Sequence, residues 1–204
     1  MSEKKQKSKV REYAETLIIA LLIALFVRAF VVQAFKIPSE SMKPTLLVGD
    51  HLLVNKFIYG IRIPLLDKKI LQFNKPRRGD VIVFIYPGDR SKDYIKRVIG
   101  LPGDTVEIRD RQIYINNSPI EDPWGVYSSW GSPVPQTYGP KVVPPDSLFV
   151  MGDNRDNSLD SRVWGFVPFD DVLGKAFIMY WSWDWNNPSI LNKVRWKRIG
   201  HLIR

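Results

Sequence analysis

The chain has 204 residues, 30 Lys and Arg against 21 Asp and Glu for a net charge of +9, and no cysteine. Hydrophobic residues at 45% and charged residues at 25% exclude wholesale disorder, and the missing cysteines exclude disulfides, thiolate zinc sites and cysteine nucleophiles. Two histidines, His51 and His201, are too few for most imidazole metal sites. The basic excess is spread along the chain, three charges before Lys36 and six from it onward, rather than packed into a nucleic-acid-binding tail. A basic surface fits anionic lipid equally well, and the N-terminus decides between them.

Residues 1–15 carry Lys4, Lys5, Lys7, Lys9 and Arg11 against Glu3, Glu12 and Glu15. From Thr16 to Val32 the chain reads TLIIALLIALFVRAFVV, whose one charge is Arg28. A helix of this length spans roughly 26 Å, close to the ~30 Å hydrocarbon core of a bilayer. Arg28 lies about a turn from its far end, where its stem can snorkel to the headgroups. The spacing therefore predicts a transmembrane helix over 16–32 and a cytoplasmic basic N-terminus over 1–15. The positive-inside rule then puts residues 35–204 on the extracytoplasmic side of a cell membrane, as a single-pass protein. Two other readings compete. A cleaved signal peptide would use Val32-Gln33-Ala34 as its processing site; a buried core helix would show a polar face, which 17–27 lacks.

After this segment come short β-branched and aromatic runs punctuated by Gly, Pro and Asp. Strands are expected at 51–57, 80–86, 94–99, 104–109, 112–116, 147–151 and 175–183, with Asp110-Arg111 as a two-residue hairpin turn. The Pro-, Gly- and Trp-rich stretch at about 117–146 reads as a short surface insertion. The architecture is mainly β, a barrel or coiled sandwich tethered by one helix. Trp181, Trp183 and Trp185 alternate on one strand face, either as core packing or as a surface that docks into the membrane interface. The basic tail from Lys193 reads as a solvated or lipid-facing end, with no nucleic acid as partner.

Three clusters can carry chemistry. Pro38-Ser39-Glu40-Ser41-Met42-Lys43-Pro44-Thr45-Leu46 sets two serines between prolines, either a plain linker turn or the fixed turn that a serine nucleophile needs. A base for that serine is scarce: His51 reads as an edge residue, and His201 is a poor candidate for a rigid site. The remaining acceptor is a lysine kept neutral by burial, and Lys96 in YIKRVIGLPGD stands beside Arg97. Alternation in a strand sends the two to opposite faces, so one faces inward unless the strand is an edge. Either Lys96 lies on a solvated face or burial depresses its pKa. The third cluster, Gly152-Asp153-Asn154-Arg155-Asp156-Asn157-Ser158-Leu159-Asp160-Ser161-Arg162, fails as a calcium loop opening at Asp156, because Ser161 and Val167 stand where glycine and a carboxylate are required. It reads as an Asn/Asp turn or as hydroxyl and ion-pair support for a nearby site.

Taken together and in order, PSESMKPTL, GDHLLVNKFIYG, RGDVIVF, YIKRVIGLPGD and GDNRDNSLDSRVWGFVP resemble the bacterial type I signal peptidases, membrane-bound serine endopeptidases that remove signal peptides from exported proteins. The resemblance implies a coiled β-sheet catalytic domain with no metal or organic cofactor. It implies Ser41 as nucleophile, Lys96 as general base, and Ser39 with the Ser41 backbone N–H as oxyanion hole. Ser158 would orient the lysine, and Asp160 and Arg162 would form a supporting pair. Ile37, Pro38, Met42, Leu46, Tyr94 and Ile95 would line pockets for small side chains at −1 and −3. Implied partners are preproteins, the lipid bilayer and, as a further candidate, the export translocon. Glu40 departs from a position that is often small in that family. The rivals are a non-catalytic membrane-tethered β module that binds anionic wall or lipid material, and a self-cleaving Ser-Lys repressor, whose DNA-binding domain has no room before Thr16.

Overall fold

A computed structural model describes residues 9–63, 68–71, 73–127, 134–189 and 192–204. The basic residues Lys4, Lys5 and Lys7, and the centre of the 117–146 stretch at 128–133, lie outside the described residues. The first element is the helix α1 (Lys9–Phe30), 22 residues with none buried, long and apolar enough to cross a membrane. It begins seven residues before Thr16 and stops two before Val32, because the chain then leaves to form a strand rather than finishing the apolar run as helix.

That strand is β1 (Val32–Lys36), followed by β2 (Asp50–Asn55), β3 (Ile61–Ile63), β4 (Lys68–Leu71), β5 (Val81–Ile85) and β6 (Asp93–Gly100). Next come β7 (Thr105–Arg109), β8 (Gln112–Ile115), β9 (Ser118–Pro119), β10 (Tyr138–Val142) and β11 (Ser147–Met151). A short helix α2 (Ser161–Trp164), β12 (Val167–Pro168) and β13 (Val172–Ser182) complete the order. The main sheet has seven antiparallel strands in the order β1-β2-β13-β5-β6-β11-β12, and a four-stranded sheet runs β10-β7-β8-β9. The domain is mainly β, as expected, and all seven expected strands are present. The 117–146 stretch contributes β9 and β10, the two edges of the smaller sheet; Pro140 is tolerated there because an edge strand has a side with no ladder to complete.

Local chemistry explains the tight connections. Asp110 and Arg111 both adopt positive φ (47° and 73°), as do Asn116 and Asn117 (52° and 65°). Each pair closes a two-residue hairpin, β7 to β8 and β8 to β9, whose twist suits the flanking strands.

The uninterrupted apolar run of β5 is buried along its whole length, which requires cover on both faces. Val81 and Val83 pack with Ile37, Met42, Leu46, Leu52 and Met179. Ile82 and Phe84 pack on the other side with Val98, Val150, Val167 and Val172. A third core, with Ile99, Val106, Ile113 and Phe149, joins the small sheet to the main one. The site lies where β6 runs between these layers.

Candidate active site

Strand β6 supplies Lys96. Its neighbour β11 pairs only with Arg97 to Gly100 of β6 and then departs at Gly152. The margin of β6 from Asp93 to Lys96 therefore has no strand beside it on that side among the described residues. The turn after β1 enters this opening and carries Ser41.

A close backbone approach makes the fit possible. A Cβ on Gly152 would stand 2.2 Å from Ser158 Oγ and 2.4 Å from the Ser41 carbonyl oxygen, so only glycine lets these groups converge. The Asn154 backbone N–H donates to the Ser41 carbonyl (3.0 Å) and its side-chain amide donates to the Glu40 carbonyl (3.1 Å). The nucleophile turn is thus clamped from the 152–162 loop.

Within the opening, Lys96 Nζ donates to Ser41 Oγ at 2.8 Å and to the Ile95 carbonyl at 2.9 Å. Ser39 Oγ lies 3.4 Å from Ser41 Oγ. Lys96 is 4% exposed, and burial pushes its amine down from 10.5 to about 8, against the opposing pull of the Asp160 and Asp153 carboxylates. Those carboxylates are committed elsewhere. Asp160 accepts from Arg162 Nε and Nη2 (both 2.9 Å) and from the Gly152 N–H (3.1 Å). Asp153 accepts from Arg97 Nε (2.8 Å) and Nη2 (2.7 Å) and from Thr45 Oγ1 (2.5 Å). The lysine amine therefore has a carbonyl and a hydroxyl as its hydrogen-bond partners, which leaves the charge poorly compensated.

Strand alternation required that one of Lys96 and Arg97 face inward; both do. Lys96 sits opposite Ile82 and Arg97 opposite Val81, residues of different cores, so at these two positions neither face of β6 is solvated. Arg97 is fully buried, bonded also to the Gly79 and Arg204 carbonyls and set 4.5 Å over the Trp124 ring. Arg155, likewise buried, donates to the Gly152 carbonyl and to the Asp122 carboxylate. Sequence reasoning missed Arg97–Asp153, Thr45 and Arg155–Asp122. Thr45 and Asp153 stood inside the quoted clusters, but no periodicity links them across 108 positions.

The other expected residues divide. Pro38, Ser39, Ser41, Tyr94, Ile95, Lys96 and Ser158 line one cleft of about 390 Å³. Ile37, Met42 and Leu46 do not line it: they belong to the first apolar core and are 2%, 0% and 0% exposed, because the turn directs them inward to cover β2 and β5. Val134, Asn157 and Leu159 line the cleft in addition. Among the described residues Ser158 Oγ is buried without a hydrogen-bond partner, and the lysine amine is held by the Ile95 carbonyl rather than by Ser158. Glu40 turns to Lys43 Nζ at 2.6 Å. His51 packs edge-on against Tyr180, and His201 is exposed.

The family model described as "Signal peptidase, peptidase S26" matches residues 10–181. This chain belongs to the signal peptidase family. It is a serine endopeptidase of signal-peptide cleavage. Signal peptidase I of Pseudomonas fluorescens is 40% identical over 93% of this chain and 78% of its own length. Signal peptidase I of Leptolyngbya laminosa is 41% identical over 88% and 84%. A crystal structure of a signal peptidase I from Enterococcus faecalis is 35% identical, with a TM-score of 0.43, covering 51% of this chain and 98% of that one.

Proposed function

We infer that this signal peptidase works by a Ser41–Lys96 dyad, and the observation that carries the reading is the 2.8 Å contact of a buried lysine amine with the serine hydroxyl. In its neutral form Lys96 takes the Ser41 proton as Oγ attacks the scissile carbonyl carbon. The oxyanion that develops is received by the Ser41 backbone N–H and the Ser39 hydroxyl. The Lys96 ammonium then protonates the leaving amine, which departs with the mature protein. A water, deprotonated by the same lysine, releases the signal peptide and restores Ser41.

Asp160, Arg162, Asp153 and Arg97 hold the walls of the site, and Ser158 lines the same cleft as Lys96. The shallow, partly apolar cleft with Pro38, Tyr94 and Ile95 suits small side chains at −1 and −3. The apolar helix α1 anchors the chain in the cell membrane, with the N-terminus cytoplasmic and the catalytic domain extracytoplasmic. Trp181 and Trp183 are half-buried, Trp185 and Trp196 exposed, and their rings are 6.0–6.4 Å apart in succession. This surface cluster fits the lipid-facing reading of the tryptophans better than core packing. The partners are preproteins and the bilayer, with the export translocon as the source of substrate. Incubating purified Ser41→Ala and Lys96→Ala variants with a preprotein bearing an Ala-x-Ala site tests the dyad: both lose cleavage while remaining folded, and full activity in either removes the assignment.

A further inference from the structure

The chain leaves the last turn of α1 and is caught at once by the end of β2. The Lys56 backbone N–H donates to the Val31 carbonyl (2.9 Å), and Val32 pairs with Asn55. Phe57, the next residue, therefore has its backbone within about 10 Å of the end of α1. A single 3-10 turn (Phe57–Tyr59) then sends two rings apart. Tyr59 is 2% exposed and donates its hydroxyl to Asp80 (2.8 Å), whereas Phe57 is 46% exposed. Phe73, two residues beyond β4, is 48% exposed, and its ring lies 5.0 Å from that of Phe57. The Asn74 side-chain amide donates to the Ile58 carbonyl (3.2 Å) and the Ile58 N–H to Asn55 Oδ1 (3.1 Å), so both rings are tied to the end of β2.

We propose that Phe57 and Phe73 form a second membrane contact, an aromatic pair that enters the bilayer surface beside the exit of α1. The proposal rests on the membrane-anchor reading of α1 and adds a surface by which the catalytic domain leans on the same bilayer. A lone exposed phenylalanine carries no meaning. Two in contact, on backbone pinned at the helix exit, stand where hydrocarbon gives way to headgroups. Charge selects the occupant. From Phe57 to Lys75 the sequence holds Arg62, Lys68, Lys69 and Lys75 against Asp67, a balance suited to an anionic lipid surface. The contact is distinct from the tryptophan surface, because Trp181 pairs with His51, four residues along β2 from Asn55. It also bears on the site. Asn55, Lys175, Ile82 and Lys96 are successive partners across β2, β13, β5 and β6, a row of about 14 Å. Seating the Asn55 end on the bilayer thus limits how far the lysine amine can swing from its surface.

Each ring has about half of its surface left to bury, worth about fivefold in the docking equilibrium, so the pair gives a factor on the order of twenty-five. The chain has no cysteine, so a nitroxide attached at Asn74→Cys is unique. The full chain carrying it is reconstituted in liposomes of phosphatidylethanolamine and phosphatidylglycerol, and EPR compares relaxation by oxygen with relaxation by a water-soluble nickel complex. Oxygen is expected to dominate. Phe57→Ser with Phe73→Ser reverses that order and lowers cleavage of a bilayer-inserted preprotein more than cleavage of a short soluble peptide, while Phe57→Trp with Phe73→Trp keeps the native behaviour. Nickel-dominated relaxation in the unsubstituted chain, or oxygen-dominated relaxation that survives the double serine variant, overturns the contact. Dipolar broadening that disappears on dilution with unlabelled chain assigns the pair to a second copy and overturns it too. Alkaline extraction of membranes separates the underlying reading: release of the chain overturns anchor and contact together, whereas retention of a chain whose label is nickel-accessible overturns the contact alone.

Discussion

Replacing Lys96 with methionine removes the base, and it also removes a destabilising feature of the fold. Burial holds the amine at about 8 against an ordinary 10.5, a displacement worth about 3 kcal/mol. Because the folded-state pKa is the lower one, the unfolded chain binds the extra proton between pH 8 and 10.5. The folded state therefore carries the full penalty below pH 8 and loses it progressively as pH rises to 10.5. Methionine has a similar length and no charge to desolvate, but it gives up the hydrogen bonds to Ser41 Oγ and the Ile95 carbonyl, about 1 kcal/mol each. At pH 7 the variant is expected to be more stable by about 1 kcal/mol, and at pH 10.5 the unsubstituted protein leads by about 2 kcal/mol. The swing of about 3 kcal/mol does not depend on the hydrogen-bond values, and every other titrating group is common to both chains. Urea unfolding of the full chain in micelles, followed by tryptophan fluorescence at pH 7, 8.5 and 10, reads it directly. A stability difference that stays constant across this range would refute a depressed lysine.

Three other outcomes follow from the same geometry. Removing the Ser39 hydroxyl by Ser39→Ala should lower kcat about 10²–10³-fold with little change in KM; an equal fall in binding of a non-cleavable substrate analogue would show a structural role instead. Asp153→Asn strips the carboxylate from fully buried Arg97 and should cost about 3–5 kcal/mol in denaturant unfolding, so a loss below 1 kcal/mol would show that the pair is solvated. Gly152→Ala should displace the Ser41 turn and lower kcat about 10²-fold, which single-turnover kinetics can check; unchanged kinetics would mean the turn moves aside freely.

The strands were legible because each is a short apolar run with turn residues at its ends, and β5 announced burial on both faces by showing no polar position. The dyad residues could be named through family resemblance, whereas their own pattern left Lys96 open between solvated and buried. What resolved it is non-local: cover on both faces of β6 arrives from β2, β13 and the 152–162 loop, none of which a local pattern reveals. Strand β1 was hidden for the same reason. Val32 continues the apolar run of α1, and only pairing with β2, Val32 against Asn55, makes it a strand. Ile37, Met42 and Leu46 illustrate the converse, since being close to Ser41 in sequence says nothing about which way a turn sends its apolar side chains. The ion pairs Arg97–Asp153 and Arg155–Asp122 join residues 56 and 33 positions apart, beyond the reach of helical or strand spacing.

The central claim is that a neutral lysine takes the serine proton, and it is tested most directly by titrating Lys96 itself. With the lysine ε-carbons labelled with ¹³C and the Lys96 resonance assigned through its loss in Lys96→Met, NMR gives the pKa of the amine, and kcat/KM measured over the same pH range gives the basic group the enzyme needs. Lys96 should titrate at about 8, and the acidic limb of kcat/KM should rise through the same value and be unaffected by His51→Ala. A lysine that titrates near 10.5, or a limb near 6.5 that disappears with His51, would contradict the account.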